Sequence, residues 1–226
     1  MHNIISQLDT HIMNPPTTSV GSVIWMHGLG ANNRDFESLV PNLCNGNALP
    51  LRFIFPNAPM RPVSINNHMQ MRAWYDVYSL TDLNREDADG IFESQEAITQ
   101  LIHQEMENGV PAYRIVVAGF SQGGAMALHT GLRLPHKIAG ILGLSCYLPL
   151  MHEHAEKIHP ENRNTPVLMM HGTQDMTLPC FAGKMGYDLI SRTHQNAEWK
   201  QYAMQHEITP QEAKDVHQWL VKVYEN

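Results

Sequence analysis

The sequence predicts an α/β fold, a mainly parallel central sheet with helices on both faces. Three observations carry this. Short β-branched runs alternate with longer stretches of helical spacing. Several of the short runs are apolar at every position, as strands buried on both faces are. No repeat, low-complexity tract or linker composition divides the 226 residues. With 43% hydrophobic and 16% charged residues, residues 1–226 read as one globular domain long enough to bury a substantial core.

The elements follow in order. Ser22–Met26 reads as a strand that breaks at His27-Gly28-Leu29-Gly30, and Arg52–Phe55 as a second, stopped by Pro56 and Pro59. Met60–Asp89 shows no period and reads as a long functional loop region. Ile91, Phe92, Ile98, Leu101 and Ile102 predict a helix over Gly90–Glu107 that closes near Gly109. Arg114–Gly119 is a central strand, and Gly123–Leu134 an apolar helix ended by Pro135. Ile138–Ser145 and Pro166–His171 are two more buried strands. A helix over Phe181–Ser191, a strand over Glu198–Ala203 and a helix from Pro210 to Tyr224 complete the chain, with Pro210 in the first turn.

Composition excludes several partners. The formal charge is -7, with no basic stripe to neutralise nucleic-acid phosphates and no polybasic segment for an anionic membrane. Met1–Pro16 lacks the basic and apolar regions of a secretory signal, and no apolar run is long enough to span a bilayer. Cys44, Cys146 and Cys180 are odd in number and lack C-x-x-C spacing. Reduced thiols in a cytoplasm are the simplest reading.

Gly119-Phe120-Ser121-Gln122-Gly123 fits G-x-S-x-G. At ~7% each for Gly and Ser, roughly one random chain of this length in ten carries such a match, so the string decides little. Its context decides more, because a buried strand runs in and a helix runs out. That is the nucleophile elbow of the α/β-hydrolase fold, which holds a serine at the carboxyl edge of the sheet and the positive end of a helix dipole. The bland alternative is a tight turn with Ser121 as a helix cap.

Serine needs a base, and on this fold the partners follow in the order Ser, acid, His. Asp175 lies in the loop after the Pro166–His171 strand, whereas Asp188 falls within a helix. His206 lies beyond the last strand and before the last helix, where a base reaches over the carboxyl edge. Of the fourteen histidines, His194 and His217 compete but sit in or against helices. The tetrahedral intermediate needs fixed donors. Gln122 N–H follows the nucleophile, and the glycines of His27–Gly30 suit Leu29 N–H as the second.

Other features point to plainer roles. His152, His154 and His159 invite a metal, but position four beyond His152 is Glu156, so H-E-x-x-H is not met and a solvated connector is expected. Cys146 reads as a small buried residue rather than a reactive thiol. Neither G-x-G-x-x-G nor a P-loop lysine occurs, so no nucleotide, metal or other cofactor is expected.

With these residues placed, the chain resembles the acyl-protein thioesterase and small carboxylesterase family, also described as lysophospholipases. The similarity spans nearly the whole chain. It includes Met26–Gly30 with Asp35-Phe36, Phe55–Pro59, Met71–Asp76, Gly119–Gly124, Gly143–Pro149, His171-Gly172 with Asp175, Leu178-Pro179, and Met204 with His206. The resemblance implies an α/β-hydrolase fold without a large cap domain and a triad of Ser121, Asp175 and His206. It also implies Leu29 and Gln122 amides as oxyanion donors. A shallow acyl groove would be walled by Trp74, Tyr147 and Leu178. Tyr147 stands where many relatives carry tryptophan, and His68 where Asn-Gly-Met is usual, both bearing on chain-length preference.

The expected activity is hydrolysis of an acyl ester or thioester: a small ester, a lysophospholipid or an acylated protein. Peptide or lactone hydrolysis on the same scaffold, or a binding protein without catalysis, are the alternatives. Exposed apolar surface around an open groove leaves room for a homodimer.

Overall fold

A computed structural model describes residues 8–46, 48–79, 85–153 and 157–225. Six parallel strands form the body of the sheet: β2 (Gly21–Met26), β3 (Leu51–Pro56), β6 (Ile115–Phe120), β7 (Gly140–Leu144), β8 (Val167–Gly172) and β9 (Ala197–Tyr202). A short edge strand, β1 (Thr10–Met13), pairs antiparallel with β3. The order across the sheet is β1-β3-β2-β6-β7-β8-β9.

The continuous apolar runs are explained by burial on both faces. Along β2, Ile24 and Met26 face one core with Val117, Ile98 and Met126, while Val23 and Trp25 face a second core with Phe53, Val116, Trp219 and Leu220. The pleat sends successive side chains to opposite faces, so a strand covered on both sides is apolar at most positions. The polar residue of β2, Ser22, donates its hydroxyl to the buried Glu105 carboxylate at 2.7 Å. Helices α2 (Ala88–Glu107), α3 (Gln122–Arg133) and α4 (Cys180–Ser191) contribute Ile91, Met126 and Ile190 to the first core. Helices α1 (Val40–Leu43) and α5 (Pro210–Glu225) contribute Leu43 and Val216 to the second. Helix α2 starts where the Asp87 carboxylate accepts the Gly90 N–H at 3.1 Å. Helix α3 is buried throughout from Gln122 to Leu132, because it packs on the strands that position its own N-terminus.

The irregular segment expected over Met60–Asp89 contains a hairpin, β4 (Met60–Val63) against β5 (Met69–Arg72). Its strands are four residues each, only Val63 of them is buried, and one includes Pro62, so they show no alternation to read. Its turn passes through Asn67 and His68 with φ of 53° and 58°. The Asp76 carboxylate accepts the Ser64 N–H at 2.7 Å and its hydroxyl at 2.5 Å, which fastens the hairpin to the chain that follows it. Residues 80–84 of that segment lie outside the described residues, as does His154 of the histidine cluster. Strand β1 escapes the sequence pattern for a related reason: it is four residues long and only partly buried.

The loops after β2, β6, β8 and β9 open at one edge of the sheet, where open α/β sheets bind ligands. Among the described residues no separate cap domain covers that edge, and no helix is long and apolar enough to cross a membrane.

Candidate active site

Ser121 sits between β6 and α3 with φ 54° and ψ -123°. For a non-glycine residue this backbone is strained, and strain of this kind persists only where the surroundings over-determine it. Here they do. The Ser121 N–H donates to Leu144 O at 2.8 Å and its carbonyl accepts the Ala125 N–H at 3.0 Å. A Cβ on Gly119 would come within 2.3 Å of the Gly123 backbone, and one on Gly123 within 2.3 Å of Met26 O. Both elbow glycines are therefore required by strand–helix approach rather than by turn flexibility.

His206 reaches Ser121 from the loop after β9. Its Nε2 lies 2.9 Å from Ser121 Oγ and its Nδ1 2.6 Å from Asp175 Oδ2. The ring packs on Phe120, with centroids 4.8 Å apart, which fixes its plane. The Asp175 carboxylate is fully buried, yet its other oxygen, Oδ1, accepts the Thr177 N–H at 2.9 Å and the Leu178 N–H at 2.8 Å. Two backbone donors and one imidazole leave the buried charge compensated.

The competitors are elsewhere. His194 Nε2 lies 2.5 Å from Asn162 O, His217 Nδ1 lies 2.8 Å from Leu43 O within α5, and Asp188 pairs with Lys184 along α4. His159 accepts the Glu161 N–H at 3.3 Å and caps a short turn.

Leu29 and Gln122 flank the serine on either side. Neither backbone N–H has an acceptor among the described residues, and both residues line the cavity that Ser121 faces. The loop carrying Leu29 is shaped by His27. Its Nε2 accepts the Ala58 N–H at 3.0 Å, so the proton resides on Nδ1, which donates to Gly28 O at 2.7 Å. Burial lowers the His27 pKa, keeping the ring in this neutral form. Gln122 has a second task through its side chain, which accepts the Trp74 N–H at 2.9 Å and donates to Tyr75 O at 2.8 Å.

A cavity of about 510 Å³ opens over Ser121 and His206. Of the three wall residues that the resemblance implies, Tyr147 and Leu178 line it. Trp74 does not: it is 0% exposed and its indole N–H donates to His27 O at 2.9 Å. It lies beneath the wall and ties the 71–76 segment to the His27 loop, and Tyr75 takes the wall position. His68 is not among the lining residues, although Ile65 and Asn66 of the same turn are. Phe36, Val77 and Phe120 complete the apolar surface. The sequence does not mark these three as one wall, because they come from separate segments with no shared spacing.

The sequence from residue 8 to residue 224 matches the model of the phospholipase/carboxylesterase family. The chain belongs to that family. It is 39% identical over 210 residues to acyl-protein thioesterase 1 of Gibberella zeae, covering 89% of each chain. It is 38% identical over 204 residues to the protein of that name from Yarrowia lipolytica, covering 88% of this chain and 90% of the relative. The crystal structure of Zea mays acyl-protein thioesterase 2 superposes with a TM-score of 0.85 at 27% identity, covering 96% of this chain and 99% of that one. The fold is that of the α/β hydrolases.

Two wall residues of this phospholipase/carboxylesterase cavity, Tyr75 and Tyr147, carry hydroxyls. Tyr75 and Tyr147 hydroxyls are 3.0 Å apart, and burial pushes both phenols up. Glu86 lies beside them and accepts the Leu150 N–H at 2.9 Å. Burial raises its pKa as well. Among the described residues no cluster of three His, Cys, Asp or Glu side chains is arranged to hold a metal. What the arrangement offers is a hydroxyl hydrogen-bonded to an imidazole, a carboxylate behind that imidazole, and two free amides beside an apolar pocket. Those are the parts needed for acyl transfer to water.

Proposed function

We propose that this family member hydrolyses acyl esters and thioesters through Ser121, His206 and Asp175. The observation that carries the reading is the continuous chain from Ser121 Oγ to His206 at 2.9 Å and from His206 to Asp175 at 2.6 Å, at the mouth of an apolar cavity. His206 Nε2 takes the Ser121 proton as Oγ attacks the acyl carbonyl. Leu29 and Gln122 N–H groups donate to the oxyanion, each worth about 3 kcal/mol of barrier. Asp175 holds the Nδ1 proton and stabilises the imidazolium. His206 then protonates the departing alkoxide or thiolate. Water, deprotonated by the same nitrogen, attacks the acyl-serine, and collapse returns the proton to Oγ.

The cavity falls within the ~300–1,000 Å³ usual for small-ligand sites, and its apolar wall suits an acyl chain. The names borne by the Gibberella and Yarrowia relatives favour acylated proteins as substrates, with lysophospholipids and small esters as further members of the same class. We further propose that residues 1–226 act as one catalytic domain. A cytoplasmic location agrees with Cys44, Cys146 and Cys180, which are all unpaired. Met176 at 92% exposure, next to the cavity residues Thr177 and Leu178, offers an apolar contact for a homodimer, which size-exclusion with light scattering tests.

The test of the reading is intact-mass detection of fluorophosphonate labelling. One adduct is expected on wild type and none on Ser121→Ala. An unlabelled, folded wild type refutes it. A panel of p-nitrophenyl esters, acyl-thioester peptides and lysophospholipids then ranks the substrates.

A further inference from the structure

Strand β8 reads Val-Leu-Met-Met-His-Gly and is buried at every residue. Its histidine, His171, is the one polar side chain in that run, is 0% exposed, and has no role in the mechanism above. Its Nε2 lies 2.9 Å from Leu178 O and 3.4 Å from Asp175 Oδ2. A carbonyl oxygen can only accept, so Nε2 carries the proton. Nδ1 has no partner among the described residues. It faces helix α4, where a Cβ on Gly183 would approach it to 2.4 Å. A ring so enclosed has no acceptor for a second proton, and burial accordingly lowers its pKa.

We propose that His171 is a positioning residue for Asp175: its Nε2–H, donated to Leu178 O and directed at Asp175 Oδ2, holds the 175–178 turn closed and the carboxylate aimed at His206. The inference rests on the triad reading. Leu178 is held from both sides, its N–H by Asp175 Oδ1 at 2.8 Å and its carbonyl by His171 at 2.9 Å. At 3.4 Å the approach to Oδ2 is too long for a strong hydrogen bond. There the ring acts as an oriented dipole whose positive end faces Oδ2.

Among the described residues, the groups around His171 leave it no other charge partner. Asp175 and His206 are the charged and titratable groups coupled to it. Trp199 of β9, 6.1 Å away between ring centroids, is neutral. On the α4 side, Lys184 and Asp188 pair with each other. Burial pushes the Cys146 and Cys180 thiols up, so they remain uncharged.

The test compares His171→Phe, His171→Gln and Asp175→Asn on an ester substrate across pH. Phenylalanine keeps the ring and removes the donor. It should lower kcat about ten- to a hundredfold, with KM changed no more than about threefold. With less of its charge compensated, Asp175 attracts the His206 imidazolium more strongly. The acid limb of kcat/KM should therefore move upward by about half a pH unit. Glutamine, whose amide nitrogen reaches the Nε2 position, should restore both. A Phe variant with wild-type kcat and acid limb overturns the proposal. So does a Gln variant as slow as Phe, because packing alone would then explain the loss. If Asp175→Asn itself retains activity, the triad reading fails instead. Should the Phe variant not fold, ring ¹⁵N shifts of wild-type His171 decide: a neutral Nε2–H tautomer at neutral pH supports the proposal, and a protonated or Nδ1–H ring overturns it.

Discussion

Replacing Asp175 by asparagine changes one atom and should nearly abolish turnover. Oδ1 accepts two backbone N–H groups, from Thr177 and Leu178, and only the amide oxygen can replace it there. The reverse orientation would set the amide NH₂ against two buried donors, costing about 1–3 kcal/mol for each lost acceptor. The NH₂ is thereby forced toward His206 Nδ1, which stands 2.6 Å from the atom it replaces. Two donors cannot share that gap, so the imidazole must carry its proton on Nε2. It then donates to Ser121 Oγ, 2.9 Å away, when catalysis requires it to accept. Loss of the correct tautomer with geometry intact is worth about 10⁴ in rate, or ~5.5 kcal/mol of barrier. The assay is kcat/KM for p-nitrophenyl butyrate at neutral pH, with a thermal melt to show that the variant is folded. A loss smaller than about tenfold would refute both the forced orientation and the role of Asp175.

Further outcomes follow from the same geometry. Ser121→Gly should abolish activity yet raise stability by about 1 kcal/mol, or about 2–4 °C in Tm by calorimetry, because glycine accepts a φ of 54° without strain. Gly119→Ala should destabilise by about 3 kcal/mol in chemical denaturation, since its Cβ would meet the Gly123 backbone at 2.3 Å and neither side can yield. Gln122→Ala strands the Trp74 N–H and the Tyr75 carbonyl. It should cost about 2–4 kcal/mol by denaturation and raise KM. Glu212 is 0% exposed, and burial pushes it up to about 8. The native state therefore keeps a proton that the unfolded chain releases near its ordinary 4.5. Stability should fall as pH rises from that value toward about 8, by up to ~1.4 kcal/mol per pH unit from this group. Tm measured along this range should flatten in Glu212→Gln.

The parts legible in the sequence are those governed by local or two-sided constraints. Strands β2, β7 and β8 are buried at every residue, so their hydrophobicity announces them. Ser121 is visible because the strand–turn–helix needs glycine on both sides, and Asp175 and His206 because they follow strands in the order this fold dictates. The β4–β5 hairpin and β1 hide because they are short and at most partly buried. Trp74 shows why aromatic residues near a site mislead. The family resemblance implies this ring as a pocket wall, and only the partners of its indole N–H and main-chain N–H reveal that it is a tie beneath one. The wall formed by Phe36, Ile65, Val77 and Phe120 is a product of tertiary assembly and leaves no trace in spacing. His171 did leave one: a lone histidine closing an otherwise apolar buried strand has to be satisfied by something.

The double engagement of Gln122 bears on how this scaffold diversifies. Its main chain starts α3 beside the nucleophile while its carboxamide grips residues 74 and 75, so that stretch of pocket and the reacting centre move as one body. A substitution that reshapes the pocket at Tyr75 is transmitted to the serine and trades turnover against selectivity. Ile65, Asn66 and Val77 line the same pocket with no side-chain bond to Gln122. They are the positions where an altered taste for acyl chains can be acquired, by natural drift or in a laboratory library, without retuning the chemistry.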